Sequence, residues 1–172
     1  YQLDLEMSFV EQEDVFNVLE KLLINLFKHF SPKKMLNEKF PRIPYRKAID
    51  KYGTDKPDLR NPLTLKDVTE IFIDKRSNFN IFKNIIKKGG VVKAIVAPVG
   101  AEKPRSFFDK LNNWAKEEGA SGLGYMSFNK EDAGLIGKGP IAKNINIELQ
   151  KKLISDLSVK EDDGVFFICD EV

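Results

Sequence analysis

The sequence predicts an α+β fold: a two-layer sandwich in which helices cover an antiparallel or mixed sheet of about four strands, preceded by a strand–helix segment. Three observations predict it. The 172 residues are 42% hydrophobic and 31% charged, which supports a packed core and excludes a disordered or low-complexity chain. Segments of period 2 interleave with segments of helical period. Proline and glycine clusters fall between those segments. At this length a fold buries about 70% of the unfolded chain's surface, so neither disulfide nor metal is required for stability.

Residues 2–9 alternate, with Leu3, Leu5, Met7 and Phe9 on one side and Gln2, Asp4, Glu6 and Ser8 on the other. That is the pattern of a half-buried strand. Ser8-Phe9-Val10-Glu11 reads as a capping box opening a helix. Val15, Leu19, Leu22, Leu26 and Phe30 continue it as an apolar stripe, widened by Phe16, Leu23 and Phe27, which requires something to pack against. Pro32, Pro41 and Pro44 then forbid a continuous helix. Tyr45, Ala48, Ile49 and Tyr52 repeat at i, i+3, i+4 and i+7 after Pro44, and Gly53 closes this short helix. Residues 54–62 read as an exposed connection, with a domain boundary around Asn61–Leu65.

Beyond that boundary, Val68–Ile73 is expected as a strand and Asn80–Lys88 as a helix stopped by Gly89-Gly90. Val91–Ala97 is rich in β-branched residues and reads as a central strand. Pro104 starts a helix through Phe107, Phe108, Leu111, Trp114 and Ala115 that ends at Gly119. Gly124–Phe128 is a strand, Gly134–Pro140 a glycine-rich loop, Ile145–Leu157 a helix and Val165–Cys169 a closing strand.

Lys+Arg at 28 against Asp+Glu at 26 leaves a net charge of +2, which argues against a dedicated polybasic nucleic-acid binder while leaving room for a local RNA contact. Cys169 is the lone cysteine, so no internal disulfide forms, and a reducing cytosol is the expected compartment. There is no signal-peptide pattern, and the most apolar run, Val91–Val99, is too short to span a bilayer. The chain opens on Tyr1 in mid-pattern, the expectation for a piece of a longer protein.

Candidate chemistry is sparse. Gln2, Asp4 and Glu6 share one strand face, either the wet side of a sheet or a polar wall that grips an ammonium group. His29 has no second ligand at i±3 or i±4 and reads as a surface residue. Cys169 reads as a buried, inert thiol. Gly119–Gly124 precedes a strand instead of following one, and Gly134–Pro140 lacks the Lys-Ser/Thr of a phosphate loop, so both read as turns. Lys83, Lys87, Lys88 and Lys93 could gather at one edge. No catalytic nucleophile–base pair and no metal-ligand set is predicted.

Several stretches resemble one family in register and order. Tyr1-Gln2-Leu3-Asp4-Leu5-Glu6-Met7-Ser8-Phe9-Val10 is similar to the second strand of motif 2 in bacterial-type aspartyl-tRNA synthetases. Pro41–Arg46 and the block Tyr52-Gly53-Thr54-Asp55-Lys56-Pro57-Asp58-Leu59-Arg60 resemble that family's stretch ahead of its insertion. Gly119–Tyr125, Gly139–Lys143 and Asp163–Phe167 are similar to the insertion itself, the GAD domain shared with the B subunit of the tRNA-dependent amidotransferase. The resemblance implies residues 1–63 as a fragment of a class II catalytic domain and 64–172 as a GAD-type insertion domain.

It further implies a parent enzyme that joins aspartate to ATP as aspartyl-adenylate and passes the aspartyl group to tRNA. The family is a cytoplasmic homodimer that uses ATP and Mg²⁺, with the phosphate-binding arginines of motifs 2 and 3 outside residues 1–172. The piece alone is therefore expected to be inactive and to bind neither cofactor. Gln2 and Asp4 are the positions that carry over to the aspartate pocket, with Asp4 opposite the substrate ammonium. Glu6 receives no role, nor do the charges of Thr54–Arg60. Two other readings remain at this point: a free-standing α+β module that binds tRNA or a protein, and a piece of the amidotransferase B subunit.

Overall fold

A computed structural model describes residues 2–98, 100–132 and 134–170. The chain forms two compact units, Tyr1–Pro44 and Tyr45–Val172.

The first unit is built on one helix, α1 (Gln12–Phe30). Residues 2–7 adopt no regular structure, so the alternating segment is not a strand here. Ladder hydrogen bonds need a neighbouring strand, and none of the described residues supplies one. Leu3 is 69% exposed and Phe9 fully so. The helix also starts later than its serine suggested. Phe9 takes a left-handed φ of 57°, and the capping box is made by Glu11 and Asp14. The Glu11 N–H donates to Asp14 Oδ2 at 3.0 Å, a carboxylate pair doing what a Ser–Glu pair does elsewhere. None of the described α1 residues is buried. Val15, Phe16, Leu19 and Leu22 are half-covered, while Leu26, Phe27 and Phe30 remain exposed.

The second unit opens with α2 (Tyr45–Tyr52), closed by Gly53 at φ 71°, whose N–H donates to the Ile49 carbonyl at 2.8 Å. Five antiparallel strands follow in the order β1-β2-β5-β3-β4: β1 (Lys66–Asp67), β2 (Val91–Ala97), β3 (Gly124–Glu131), β4 (Gly134–Lys138) and β5 (Gly164–Asp170). The α+β class and the helix-covered antiparallel sheet are as the sequence implies, with one strand more than the approximate four.

The extra strand is the expected glycine loop. Gly134–Lys138 pairs with β3, Phe128 opposite Gly137. Gly137 belongs there because a side chain would collide with its neighbours: a Cβ would lie 2.4 Å from Met126 Cε and 3.1 Å from Gln150 Oε1. The expected strand Val68–Ile73 is instead helix α3 (Thr69–Ile73). As a strand it would place Glu70 on one face with Val68 and Phe72; helical spacing buries Val68, Ile71 and Phe72 and leaves Glu70 in water. Asp67 accepts from the Thr69 N–H at 3.0 Å, and Thr69 Oγ1 accepts from the Val92 N–H at 2.9 Å, ending the β1 ladder.

Helices α3, α4 (Asn80–Ile86) and α6 (Ile147–Leu157) cover one sheet face. Val92, Ala94, Met126, Phe128, Val165, Phe167 and Cys169 point into that layer, against Phe72, Phe82, Leu149 and Leu153. The α5 helix (Arg105–Glu117) lies on the opposite face, where Phe108 stacks on Tyr125 with centroids 4.0 Å apart and meets Phe166 at 5.6 Å.

Gln150 on α6 is buried, and its amide joins three backbone groups. Oε1 accepts from the Gly137 N–H at 3.1 Å, while Nε2 donates to the Ala142 carbonyl at 3.1 Å and to that of Ile145 at 3.4 Å. Gln150→Leu keeps the volume but strands these groups, so we expect a loss of about 1–3 kcal/mol in urea unfolding. An unchanged midpoint would show that the amide is dispensable.

Candidate functional site

The polar residues near the start of the chain come first. Gln2 and Asp4 lie two apart in a segment without regular secondary structure. There Gln2 Nε2 donates to Asp4 Oδ1 at 2.7 Å. The amide fixes one carboxylate oxygen and leaves the other free to accept from a cation. Both residues are exposed, as is Glu6, for which no side-chain contact accompanies this pair.

A second polar arrangement in the same unit escaped the sequence reading. Glu13, Phe16 and Glu20 occupy one face of α1, and the returning chain lays Arg42 over them. The Arg42 guanidinium sits 4.5 Å from the Phe16 ring centre and 3.5 Å from Glu20, with Glu13 at 3.9 Å. Glu20 also accepts from the Phe40 N–H. The i, i+3, i+7 spacing was visible in the sequence, but its partner 22 residues beyond Glu20 was not.

The Tyr52–Arg60 block now has a local structure. Thr54 Oγ1 accepts from the Lys56 N–H at 3.2 Å. Asp58 Oδ1 accepts from the Arg60 N–H at 3.0 Å and from Arg60 Nε at 2.8 Å, while Oδ2 accepts from Nη2 at 2.7 Å. The carboxylate thus closes a turn and grips the guanidinium at once. Asp74 and Arg76 repeat the same Asp-x-Arg geometry, and Arg76 also reaches Glu148 at the start of α6.

The remaining candidates resolve into structure. His29 packs edge-on against Phe30. Cys169 is buried beneath α4, its Sγ 3.9 Å from the Phe82 carbonyl; burial, with the nearby Asp170 carboxylate, pushes its thiol up to about 11. A thiol held neutral in this way is a poor nucleophile. Gly119 ends α5 with a positive φ of 95°, and Gly124 lies where a Cβ would sit 2.4 Å from Ile141 Cδ1, so the first serves the turn and the second packing. Lys93 is held between Asp67 at 3.3 Å and Asp50 at 3.8 Å, which removes it from the expected lysine cluster. Among the described residues no three His, Cys, Asp or Glu side chains form a metal-binding group, and no helix is long and apolar enough to cross a membrane.

Comparison with known proteins places this arrangement. The family described as tRNA synthetases class II (D, K and N) matches residues 1–170. The chain belongs to that family. Among its relatives is the Aspartate--tRNA(Asp/Asn) ligase of Beijerinckia indica, 54% identical over 170 residues, 99% of this chain and 28% of that protein. The ligase of the same name from Pelagibacter ubique is 51% identical over all 172 residues and 29% of its own length. That of Ehrlichia canis is 55% identical over 168 residues, 98% of this chain and 28% of that protein. The chain therefore spans under a third of the length of the class II synthetases it matches.

In this class II synthetase chain, the bidentate Arg60 guanidinium, followed by its backbone N–H, holds the Asp58 carboxyl down to about 2. Whatever the Asp58–Arg60 turn contributes is present above the ordinary carboxylate range and is lost as pH falls through about 2. Carboxyl-detected NMR titration should show that low midpoint, returning towards 3.8 in Arg60→Gln. An unmoved midpoint would mean that Arg60 is not its cause.

Proposed function

We propose that these 172 residues are an internal part of an aspartate–tRNA ligase. The whole enzyme activates aspartate by attack of its carboxylate on the α-phosphorus of ATP, releasing pyrophosphate, and then transfers the aspartyl group to the terminal ribose of tRNA. The observation that carries this reading is identity above 50% along nearly the full chain with proteins of that name. Those names cite both the aspartate and asparagine tRNAs, and we extend both substrates to the parent of this chain. Residues 1–63 belong to its catalytic domain and 64–172 to a GAD-type insertion, in a cytoplasmic homodimer.

Gln2 and Asp4 line the aspartate pocket of the intact enzyme. Asp4 accepts a hydrogen bond from the substrate ammonium and supplies the opposite charge, while the Gln2 amide orients it through the 2.7 Å hydrogen bond. The pair binds and orients; it takes no proton from the reacting carboxylate. ATP and Mg²⁺ belong to the parent's chemistry. The described residues contain no ligand group for the ion, so no step through Mg²⁺ is derived from them.

In the full-length enzyme, Asp4→Asn should lower kcat/KM for aspartate by about 10- to 100-fold, the worth of one charge-assisted hydrogen bond. The KM for ATP should stay unchanged. A normal kcat/KM would remove Asp4 from the pocket. The 172-residue chain alone should show no aspartate-dependent ATP–pyrophosphate exchange, and clear exchange would overturn the assignment of this piece as inactive by itself.

A further inference from the structure

The sheet face opposite the main core is only partly covered. The β2 and β5 strands present Ile95, Phe166 and Ile168 there, since each lies one residue from a core-facing neighbour. The α5 helix covers Phe166 with Phe108 in its first turn, and Trp114 and Ala115 lie towards its C-terminal end. Between that end and the strands is an open cavity of about 290 Å³ with Ile95, Phe166 and Ile168 as its floor and Trp114 and Leu123 among its walls. Trp114 is 56% exposed, an unusual state for the largest apolar side chain of the chain. A concave apolar cleft near 300 Å³ is at the small end of pockets that hold organic ligands.

Two charged residues reach this cavity, Lys93 and Glu118. The Lys93 ammonium is already matched by Asp67 at 3.3 Å and Asp50 at 3.8 Å. Glu118, the C-cap of α5, follows Trp114 by four residues and lines the same cavity. The charges at the rim therefore favour a cation: the lysine is engaged by Asp67 and Asp50, which leaves Glu118 as the charge facing a ligand, and the Trp114 indole in the same lining adds its own attraction for positive charge. An anionic ligand would meet Glu118 with its counter-charge, Lys93, already engaged.

We propose that this cavity is a binding site for a small organic cation with an apolar body, the body on Ile95, Phe166 and Ile168 and the ammonium or guanidinium between Trp114 and Glu118. The site lies on the sheet of the second unit and does not depend on the assignment of the aspartate pocket.

Trp114 is the sole tryptophan, so its fluorescence reports this cavity directly. The 172-residue chain would be titrated with 4-phenylbutylamine at low ionic strength, and in parallel with 4-phenylbutyrate. The amine should give a saturable change in Trp114 emission, with the carboxylate bound about tenfold more weakly. Glu118→Gln should weaken the amine several-fold without altering far-UV circular dichroism, and Glu117→Gln should leave its affinity unchanged. A non-saturating response to the amine, equal affinity for both probes, or equal effects of the two glutamate substitutions would each overturn the proposal.

Discussion

The second unit depends on the seven-residue antiparallel ladder between β2 and β5. It pairs Val91 with Asp170 at one end and Ala97 with Gly164 at the other. This register places Val92 opposite Cys169 and Ala94 opposite Phe167 on one face, and Ile95 opposite Phe166 on the other. A slip of one residue would exchange those faces and expose the core. Phe167 then meets Phe72 edge-on at 5.7 Å, which docks α3, and Cys169 lies beneath α4. The aromatic triad Phe72, Phe79 and Phe82 completes that layer with centroid distances from 4.6 to 6.2 Å.

The glycine-rich stretches follow from the same ladder. They look superficially like phosphate-binding loops, yet at Gly124 and Gly137 the absent side chain answers a packing demand, while Gly119 and Gly134 face open space and take a positive φ. Gly137 lets α6 and its Gln150 amide approach β4, Gly124 admits Ile141, and Gly100 lies against Gly164 where a Cβ would come within 2.9 Å of the Gly164 nitrogen. Helix and strand meet more closely than any side chain would permit, and the hydrogen bonds of Gln150 then make up for the buried backbone groups of the β4 edge.

The first unit obeys a different constraint. Its helix carries no buried described residue, and its order comes from charge and caps: Glu11 with Asp14 at the start, Arg42 across Phe16 and Glu20 along the side. Exposed ion pairs of this type contribute little individually; Glu20 is the one whose side chain is largely covered, at 11% exposure. The chemistry proposed for Gln2 and Asp4 needs no helix or sheet to bring those two together, because their hydrogen bond forms within the irregular segment itself.

Local patterns determined most elements. Helical spacing located α1, α2, α4, α5 and α6, Gly53 and Gly119 ended helices as left-handed caps, a β-branched run located β2 and an apolar run located β5. The Gln2-x-Asp4 spacing was legible as well, and the two side chains meet although the strand expected to carry them does not form. Tertiary structure alone decided the rest. Alternation in residues 2–9 was not enough for a strand without a paired neighbour, while Gly134–Lys138, lacking any strand-like composition, became one because β3 offered its edge. Val68–Ile73 became helical because burying Phe72 without Glu70 required it. The Trp114 cavity was equally invisible, since its floor and wall come from strands and a helix far apart in sequence. Period and punctuation are local properties of the chain; pairing, burial and concavity exist only between segments.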